Sequence, residues 1–257
     1  MVFFVGAGPG AEDLITVRGA RLLAEADVVV YAGSLVNPKL LDACKPTCTV
    51  YDSSGMTLAQ IVDVLVKADA AGETCVRLHT GDPALYGAHG EQMAELRRRG
   101  VAFEVVPGVS SIFGAAAALG CEYTVPEVSQ SLVVTRVEGR TPEPAGERLP
   151  AMAAHGCTLV LALSAGLLER AQEELLAGGR VPSTPAAIVV RASWPDEAVY
   201  RCTVGTLAQC GREHDVRKTA LVVVGECLEE QRTRSKLYDA GFTHGYRASS
   251  AEGRAEA

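Results

Sequence analysis

The sequence lacks an excess of positive charge and lacks any long apolar run. Lysine and arginine number 24 against 31 acidic residues, a net charge of −7, which argues against a broad nucleic-acid surface because such surfaces need clustered positive charge. No stretch of 18 apolar residues occurs, and no cationic segment followed by a long apolar one opens the chain. These absences predict a cytoplasmic protein without membrane or nucleic-acid partners, and they leave room for a local basic pocket.

The eight cysteines and five histidines show no metal-ligand spacing. Without a C-x-x-C pair or a secretory context, the cysteines are predicted to be reduced and mostly buried thiols, and no bound metal is expected. The sequence also has no interpretable Ser-His-Asp, Cys-His or paired glutamate arrangement, and its glycine turns lack the Gly-Lys-Ser or Gly-Lys-Thr of a P-loop. Classical hydrolysis and phosphoryl transfer are therefore disfavoured, and the catalytic residues stay unknown.

What the chain does have is an alternation of strand and helix patterns, which predicts an α/β fold with a largely parallel N-terminal sheet and helices on both faces. A length of 257 residues suffices for one large domain or two smaller ones. In the first half we predict strands at 2–5, 27–31, 74–78 and 102–106 and helices at 14–26, 58–72, 89–99 and 111–119.

The alternation breaks at 120–130, around Pro126, and then restarts. The second half is predicted to contain strands at 131–136, 158–163, 187–191, 199–203 and 219–224 and a helix at 167–177. An apparent hairpin around Trp194 makes this second sheet mixed. The predicted domains are 1–121 and 122–234, followed by an extension, 235–257, whose end from 248 is expected to be disordered.

Three glycine-bearing loops, 6–10, 79–87 and 107–111, each follow a predicted strand, at the end where open α/β sheets bind small molecules. We expect them to line one cleft. The first loop formally matches a dinucleotide fingerprint, but Pro9 removes an amide donor and Glu12 and Asp13 place carboxylates where a pyrophosphate would approach. NAD is thus a minority interpretation, and a tight turn that needs glycine explains the loop about as well as a ligand does.

Each polar candidate also has a structural explanation. Asp82 before Pro83 is typical of a helix N-cap, although Thr80 and Gly81 beside it favour a site for the amino acid part of a ligand. Ser110 and Ser111 either cap the next helix or bind a ligand carboxylate at its positive end. Arg136 and Arg140 are either solvated surface residues or a carboxylate clamp.

Taken together, several motifs give the chain a resemblance, over about residues 1–247, to the tetrapyrrole methylases of cobalamin biosynthesis. The motifs are 6–10 with 13–16, 31–36, 79–83, 106–111, 135–142, 194–197 and 235–239. The combination is most similar to the methylases that act on C11 of precorrin-4 or its cobalt form.

The resemblance implies two α/β domains with a cleft between them, a homodimer, and S-adenosyl-L-methionine bound in a folded conformation. The cofactor contacts that it implies are Pro9, Thr80, Gly81, Asp82, Leu85, Ser110, Ser111, Leu163, Ala192 and Ala220. For the acidic side chains of the tetrapyrrole substrate, Arg136 and Arg140 are the first candidates and Lys236 and Arg247 the next.

Methyl transfer from an activated sulfonium needs positioning more than acid–base chemistry. Two alternatives stay open: methylation at another ring position, and a non-catalytic module that binds a tetrapyrrole or nucleotide. A third, methylation of RNA, is disfavoured by the net charge of −7.

Overall fold

The computed structural model describes residues 1–230 and 235–248. The described residues divide into two compact units, one formed by Met1–Ala118 with Val190–Ala198 and the other by Leu119–Val189 with the described residues from Val199 onward. The first change from one unit to the other, between Ala118 and Leu119, is three residues before the predicted boundary after residue 121. No local sequence pattern indicates that Val190–Ala198 packs with the N-terminal half. The end predicted to be disordered lies almost wholly outside the described residues.

The secondary structure elements are bounded as follows. The strands are β1 (Val2–Gly6), β2 (Val28–Tyr31), β3 (Thr49–Asp52), β4 (Cys75–His79), β5 (Phe103–Val106), β6 (Leu132–Thr135), β7 (Thr158–Leu161), β8 (Pro185–Val190), β9 (Ala198–Thr203) and β10 (Ala220–Val224). The α-helices are α1 (Val17–Glu25), α2 (Leu58–Ala70), α3 (Gly90–Arg98), α4 (Ser111–Leu119), α5 (Leu149–Ala153), α6 (Leu168–Ala177) and α7 (Leu207–Glu213).

The sheet of the first unit is parallel and has the strand order β3-β2-β4-β1-β5. Phe4 and Val30 pack on one face with Leu65 of α2 and Leu96 of α3. Alternate residues of the same strands pack on the other face with α1. The predicted parallel sheet with helices on both faces is therefore confirmed.

Helix α2 shows how directly the local sequence specifies this unit. The Thr57 hydroxyl accepts a hydrogen bond from Gln60 N at 3.3 Å, and the Gln60 side chain accepts one from Thr57 N at 2.8 Å. This is the predicted capping box. Ile61, Val62 and Leu65 then point into the core, and the chain turns at Gly72 with a φ of +75°.

The second unit contains a mixed sheet of order β6-β7-β10-β8-β9, as predicted. Strand β6 runs parallel to β7, and β10 runs antiparallel to it. Helices α5 and α7, and the edge strand β3 of the first unit, were not predicted. Strand β3 is exposed at every residue, and α5 and α7 have only five and seven residues, so none of them carries a clear pattern of buried positions.

Candidate functional site

The three glycine loops converge at one edge of the first sheet. Because β4, β1 and β5 are parallel neighbours, the loops that follow them leave from the same edge. Gly8 N donates to Gly81 O at 3.2 Å, and Gly81 N donates to Gly8 O at 2.8 Å. His79 O accepts from Ala7 N at 2.7 Å. The loops therefore meet at this edge, and that the three of them line one cleft stays a prediction.

Two of the glycines are required by how closely the backbones approach. A Cβ added to Gly108 would lie 2.1 Å from Gly81 O, and one added to Gly6 would lie 2.5 Å from Gly108 Cα. Both contacts are far inside van der Waals distance and both are with backbone, which cannot swing aside. The loops can therefore meet only because neither position carries a side chain.

Asp82 ties two of these loops together. One carboxylate oxygen accepts a hydrogen bond from Ala84 N and the other accepts one from Gly108 N, both at 2.8 Å. The interpretation of Asp82 as a helix N-cap is wrong, because residues 83–86 form a turn and α3 begins only at Gly90. Its carboxylate instead fixes the relative position of the β4 and β5 loops.

The remaining predicted cofactor residues of the first unit lie around these loops. Ser110 is buried and immediately precedes α4, and Ser111 is the first residue of that helix. The virtual Cβ of Gly114 in α4 would lie 3.0 Å from Pro9 and 3.5 Å from Ala192, so these three residues are packed together. The first unit thus contains the whole of the set Pro9, Thr80, Gly81, Asp82, Leu85, Ser110, Ser111 and Ala192.

Trp194 holds the first glycine loop in place from a position far along the chain. Its indole Nε1 donates to Pro9 O at 3.1 Å, and its ring covers Gly10 so closely that a Cβ there would lie 2.0 Å from the ring. Ser193 Oγ accepts from Ala11 N at 3.0 Å, and the Arg191 guanidinium stacks on the indole at 4.0 Å.

His79, the last residue of β4, is a buried neutral imidazole. It is 4% exposed, and its Nε2 has no hydrogen-bond partner within the described residues. Burial, followed by the nearby charges of Arg77 and His89, lowers its pKa to about 3. A base of this strength is ineffective near neutral pH, so His79 supports the loop but does not supply acid–base chemistry.

The second unit contains the two remaining cofactor candidates. Leu163 lies two residues after the end of β7, and Ala220 is the first residue of β10, the antiparallel neighbour of β7. Leu163 is 63% exposed and has a φ of +53°, an uncommon conformation for a branched residue. Ala220 is buried.

The two arginines of the predicted clamp have different surroundings in the structure. The Arg136 guanidinium donates to Thr141 O at 2.9 Å and lies 3.7 Å from the Glu143 carboxylate, so its own loop already occupies it. Burial raises the pKa of that Glu143 carboxyl. Arg140, at the tip of the loop, is exposed.

The two weaker candidates lie in the C-terminal segment. Lys236 begins a short 3₁₀ turn. The Arg247 guanidinium donates to the carbonyls of Leu237 and Asp239, at 3.0 and 2.5 Å, and therefore folds this segment onto itself.

Over residues 1–230 and 235–248, no group of three or more His, Cys, Asp or Glu side chains is arranged to hold a metal ion. In the same residues, no helix has the length and apolar character needed to span a membrane.

A family described as Tetrapyrrole (Corrin/Porphyrin) Methylases matches residues 1–208. A cobalt-precorrin-4 C(11)-methyltransferase of Methanocaldococcus jannaschii is 47% identical over 249 residues, which cover 96% of this chain and 96% of that protein. The chain belongs to the tetrapyrrole methylase family.

Two solved tetrapyrrole methylase structures extend the similarity to the fold. The X-ray structure of a cobalamin biosynthetic enzyme, cobalt precorrin-4 methyltransferase, matches with a TM-score of 0.87 and 44% identity, covering 89% of this chain and 96% of that one. A uroporphyrin-III C-methyltransferase from Thermus thermophilus complexed with S-adenosyl homocysteine matches with a TM-score of 0.75 and 33% identity, covering 89% and 93%. Two α/β domains, one with a parallel and one with a mixed sheet, are thus the family architecture.

Sequence reasoning missed two residues that support the site of this tetrapyrrole methylase. Trp194 belongs to a predicted hairpin and to a motif of the resemblance, but neither predicts its contact with Pro9, although a connecting segment is an unusual place for so large an apolar ring. His79 was read as part of a loop motif, and its position at the end of a run of buried strand residues was the available signal for burial.

Proposed function

We propose that this chain is an S-adenosyl-L-methionine-dependent C-methyltransferase that methylates C11 of precorrin-4 or cobalt-precorrin-4 in cobalamin biosynthesis. The observation that carries the proposal is the similarity to a cobalt-precorrin-4 C(11)-methyltransferase along 96% of both chains. The converging glycine loops supply the part of the site that the same proposal needs for the methyl donor.

The loops of the first unit suit the donor's amino acid and nucleoside groups. They contain the hydroxyl-bearing residues Thr80, Ser110 and Ser111, and the Gly8–Gly81 and Asp82–Gly108 hydrogen bonds fix their backbone. A relative with 33% identity has been crystallised with S-adenosyl homocysteine. We therefore assign donor binding to Pro9, Thr80, Gly81, Asp82, Leu85, Ser110, Ser111 and Ala192.

Leu163 and Ala220 are the donor-binding candidates that belong to the second unit. Leu163 is held in a left-handed conformation with most of its side chain in solvent. Such strain is retained where a particular side-chain direction is needed. We propose that Leu163 packs against the bound donor.

The reaction needs little from acidic or basic side chains. The sulfonium methyl of the donor is already activated, and an electron-rich ring carbon of the substrate attacks it. Holding the three reacting atoms in line contributes up to roughly 7–11 kcal/mol to such a reaction. His79 stays neutral and Asp82 has both oxygens bonded to backbone amides, which agrees with catalysis by positioning.

For the substrate's acetate and propionate groups, Arg140 is the better placed of the two arginines. Its guanidinium is exposed, whereas that of Arg136 is engaged by Thr141. We propose that Arg140 contacts a substrate carboxylate directly and that Arg136 acts by holding the loop that carries it. A homodimer and a cytoplasmic location are also part of the proposal.

The proposal is tested with methyl-labelled S-adenosyl-L-methionine and both candidate substrates, precorrin-4 and its cobalt form. We expect one label per ring, located at C11 by NMR. Label at another carbon would favour a related ring methylase, and tight binding without product would favour a binding module. A parallel reaction with uroporphyrinogen III controls for general ring methylation.

A further inference from the structure

A buried arginine lies on β4, two residues before His79 ends that strand. Arg77 is 5% exposed, and burial lowers its pKa to about 10, so its guanidinium stays charged near neutral pH. Its hydrogen-bond acceptors among the described residues are all neutral: Gln92 Oε1 and Val30 O, each at 3.1 Å, and Leu78 O at 3.4 Å. A buried cation without a carboxylate partner is costly, so packing alone does not explain Arg77.

Gln92 of α3 connects Arg77 to the loop between β4 and α3, residues 80–89. The Gln92 side chain is 4% exposed. Its amide oxygen accepts a hydrogen bond from Arg77 Nε, and its amide nitrogen donates one to Ala88 O at 3.2 Å. A guanidinium can only donate and a carbonyl can only accept, so the two partners fix the orientation of the amide.

The loop that Gln92 contacts has a strained backbone. Tyr86 and Ala88 have φ angles of +55° and +46°, which residues other than glycine adopt rarely. Gly87 between them lies so close to Pro83 that an added Cβ would be 2.2 Å from Pro83 O. Such a conformation persists only where the surrounding structure fixes it, and the hydrogen bond from Gln92 to Ala88 O is one of the contacts that do so.

Different groups fix the two ends of this loop. Near its start, the Asp82 carboxylate accepts a hydrogen bond from Gly108 N at 2.8 Å. Near its end, Gln92 bonds to Ala88 O. Leu85, which is assigned to the donor together with Asp82, lies between these two attachments. Loss of the second attachment should therefore allow the donor-binding part of the loop to move.

We propose that Arg77 and Gln92 are positioning residues for the methyl donor. Arg77 orients the Gln92 amide, and the amide holds the loop in the conformation that binds the donor. The inference rests on the proposed function, because Asp82 and Leu85 are assigned to the donor there. The rigid, planar guanidinium suits this role because it directs its donors at the amide and at the strand carbonyls at fixed angles, which a lysine ammonium does not.

The test uses Gln92→Glu in the full-length protein. The carboxylate still accepts from Arg77 and gives the buried guanidinium a counter-ion, but it has no N–H for Ala88 O. The free energy of unfolding in urea, followed by Trp194 fluorescence, should therefore be no lower than in the wild type. The Kd of S-adenosyl homocysteine, measured by calorimetry, should rise about fivefold, the factor that one neutral hydrogen bond contributes.

Two further measurements separate positioning from general structural damage. In turnover, Gln92→Glu should raise the KM for S-adenosyl-L-methionine and leave the KM for the tetrapyrrole unchanged. The matched control is Gln130→Glu, which removes a side-chain hydrogen bond to Val125 O, 3.1 Å long, in the second unit. This control should leave the Kd of S-adenosyl homocysteine unchanged.

A double-mutant cycle tests the pair without relying on Gln92→Glu. Arg77→Met should raise the Kd of S-adenosyl homocysteine, because Gln92 loses the group that orients it. In a Gln92→Met background the same change should have little further effect. Circular dichroism establishes that each variant is folded.

The inference is overturned if the two effects on Kd add, if Gln92→Glu binds S-adenosyl homocysteine as the wild type does, or if its affinity falls only together with its stability. Failure of the proposed function gives a different result. A wild-type protein that binds no S-adenosyl homocysteine would overturn the donor assignment and this inference with it, whereas a wild type that binds as tightly as Gln92→Glu overturns the inference alone.

Discussion

Lowering the pH should destabilise the first unit through His79, by an amount that follows from its burial. The imidazole has a pKa of about 3 when folded and an ordinary value of 6.5 when unfolded. Between these two values the unfolded chain binds a proton that the folded chain excludes, so stability falls as the pH falls. At about pH 5 the unfolded imidazole is almost fully protonated, which costs about 2 kcal/mol relative to about pH 7.5.

Trp194 gives this prediction a local readout. It is the single tryptophan of the chain, and its indole packs on Gly10 and bonds to Pro9 in the same unit as His79. Denaturant unfolding followed by tryptophan fluorescence therefore reports the unit in question. We would compare the free energies of unfolding of the wild type and His79→Leu at both pH values.

Other titrating groups also change stability over this range, so the difference between proteins is the decisive quantity. Asp27, whose pKa is lowered mainly by a hydrogen bond from Lys45, contributes equally to both proteins and cancels. His79→Leu should lose about 2 kcal/mol less than the wild type between about pH 7.5 and 5, whereas His155→Gln, at an exposed histidine, should behave as the wild type. Equal losses in wild type and His79→Leu would refute the reasoning.

Three further predictions concern the site and its scaffold. Gly108→Ala sets a Cβ 2.1 Å from Gly81 O, so it should weaken S-adenosyl-L-methionine binding, measured by calorimetry, about tenfold or more. Gly90→Ala, where a Cβ meets nothing within 4 Å, should leave the affinity unchanged. Equal affinities of the two variants would contradict the explanation by close backbone approach. Arg140→Ala should raise the KM for the tetrapyrrole severalfold and leave the Kd of the donor unchanged, since the exposed guanidinium is proposed to contact only the substrate; a matched loss of both would contradict its role. Thr57→Ala removes the capping box of α2 and should cost about 1 kcal/mol in urea unfolding, an effect that Ser54→Ala, outside the cap, should not reproduce.

The N-terminal half of the fold was predictable because its signals are local. Each of β1, β2 and β4 is a short run of mostly buried and mostly apolar residues followed by a turn. Helix α2 carries its capping box and its apolar face in 13 residues. Once parallel strands are inferred, the position of the glycine loops at one sheet edge follows from geometry. The convergence of these loops could therefore be inferred before any coordinate was known.

The contacts that complete the site depend on residues far apart in sequence. Trp194 and Pro9 are 185 positions apart, and Ser193 and Ala11 are 182 apart. Nothing in the neighbourhood of Gly10 indicates that an indole covers it. The packing of Val190–Ala198 with the first unit could not be predicted for the same reason. The local sequence pattern of a segment does not indicate which distant segment it packs against.

The clamp illustrates the limit of reading charge from sequence. Arg136 and Arg140 are the same residue type in the same loop, so the sequence gives both of them the same carboxylate-binding role. The chain gives Arg136 internal acceptors in Thr141 O and a nearby buried Glu143 carboxylate, so its charge is partly used before any substrate arrives. Removing Arg136 would leave Glu143 buried without its cation, which is destabilising. A substrate anion would compete with these internal acceptors at Arg136 but not at the exposed Arg140. Substitution of Arg136 should therefore mainly lower the stability of the loop, whereas substitution of Arg140 should mainly lower the affinity for the substrate.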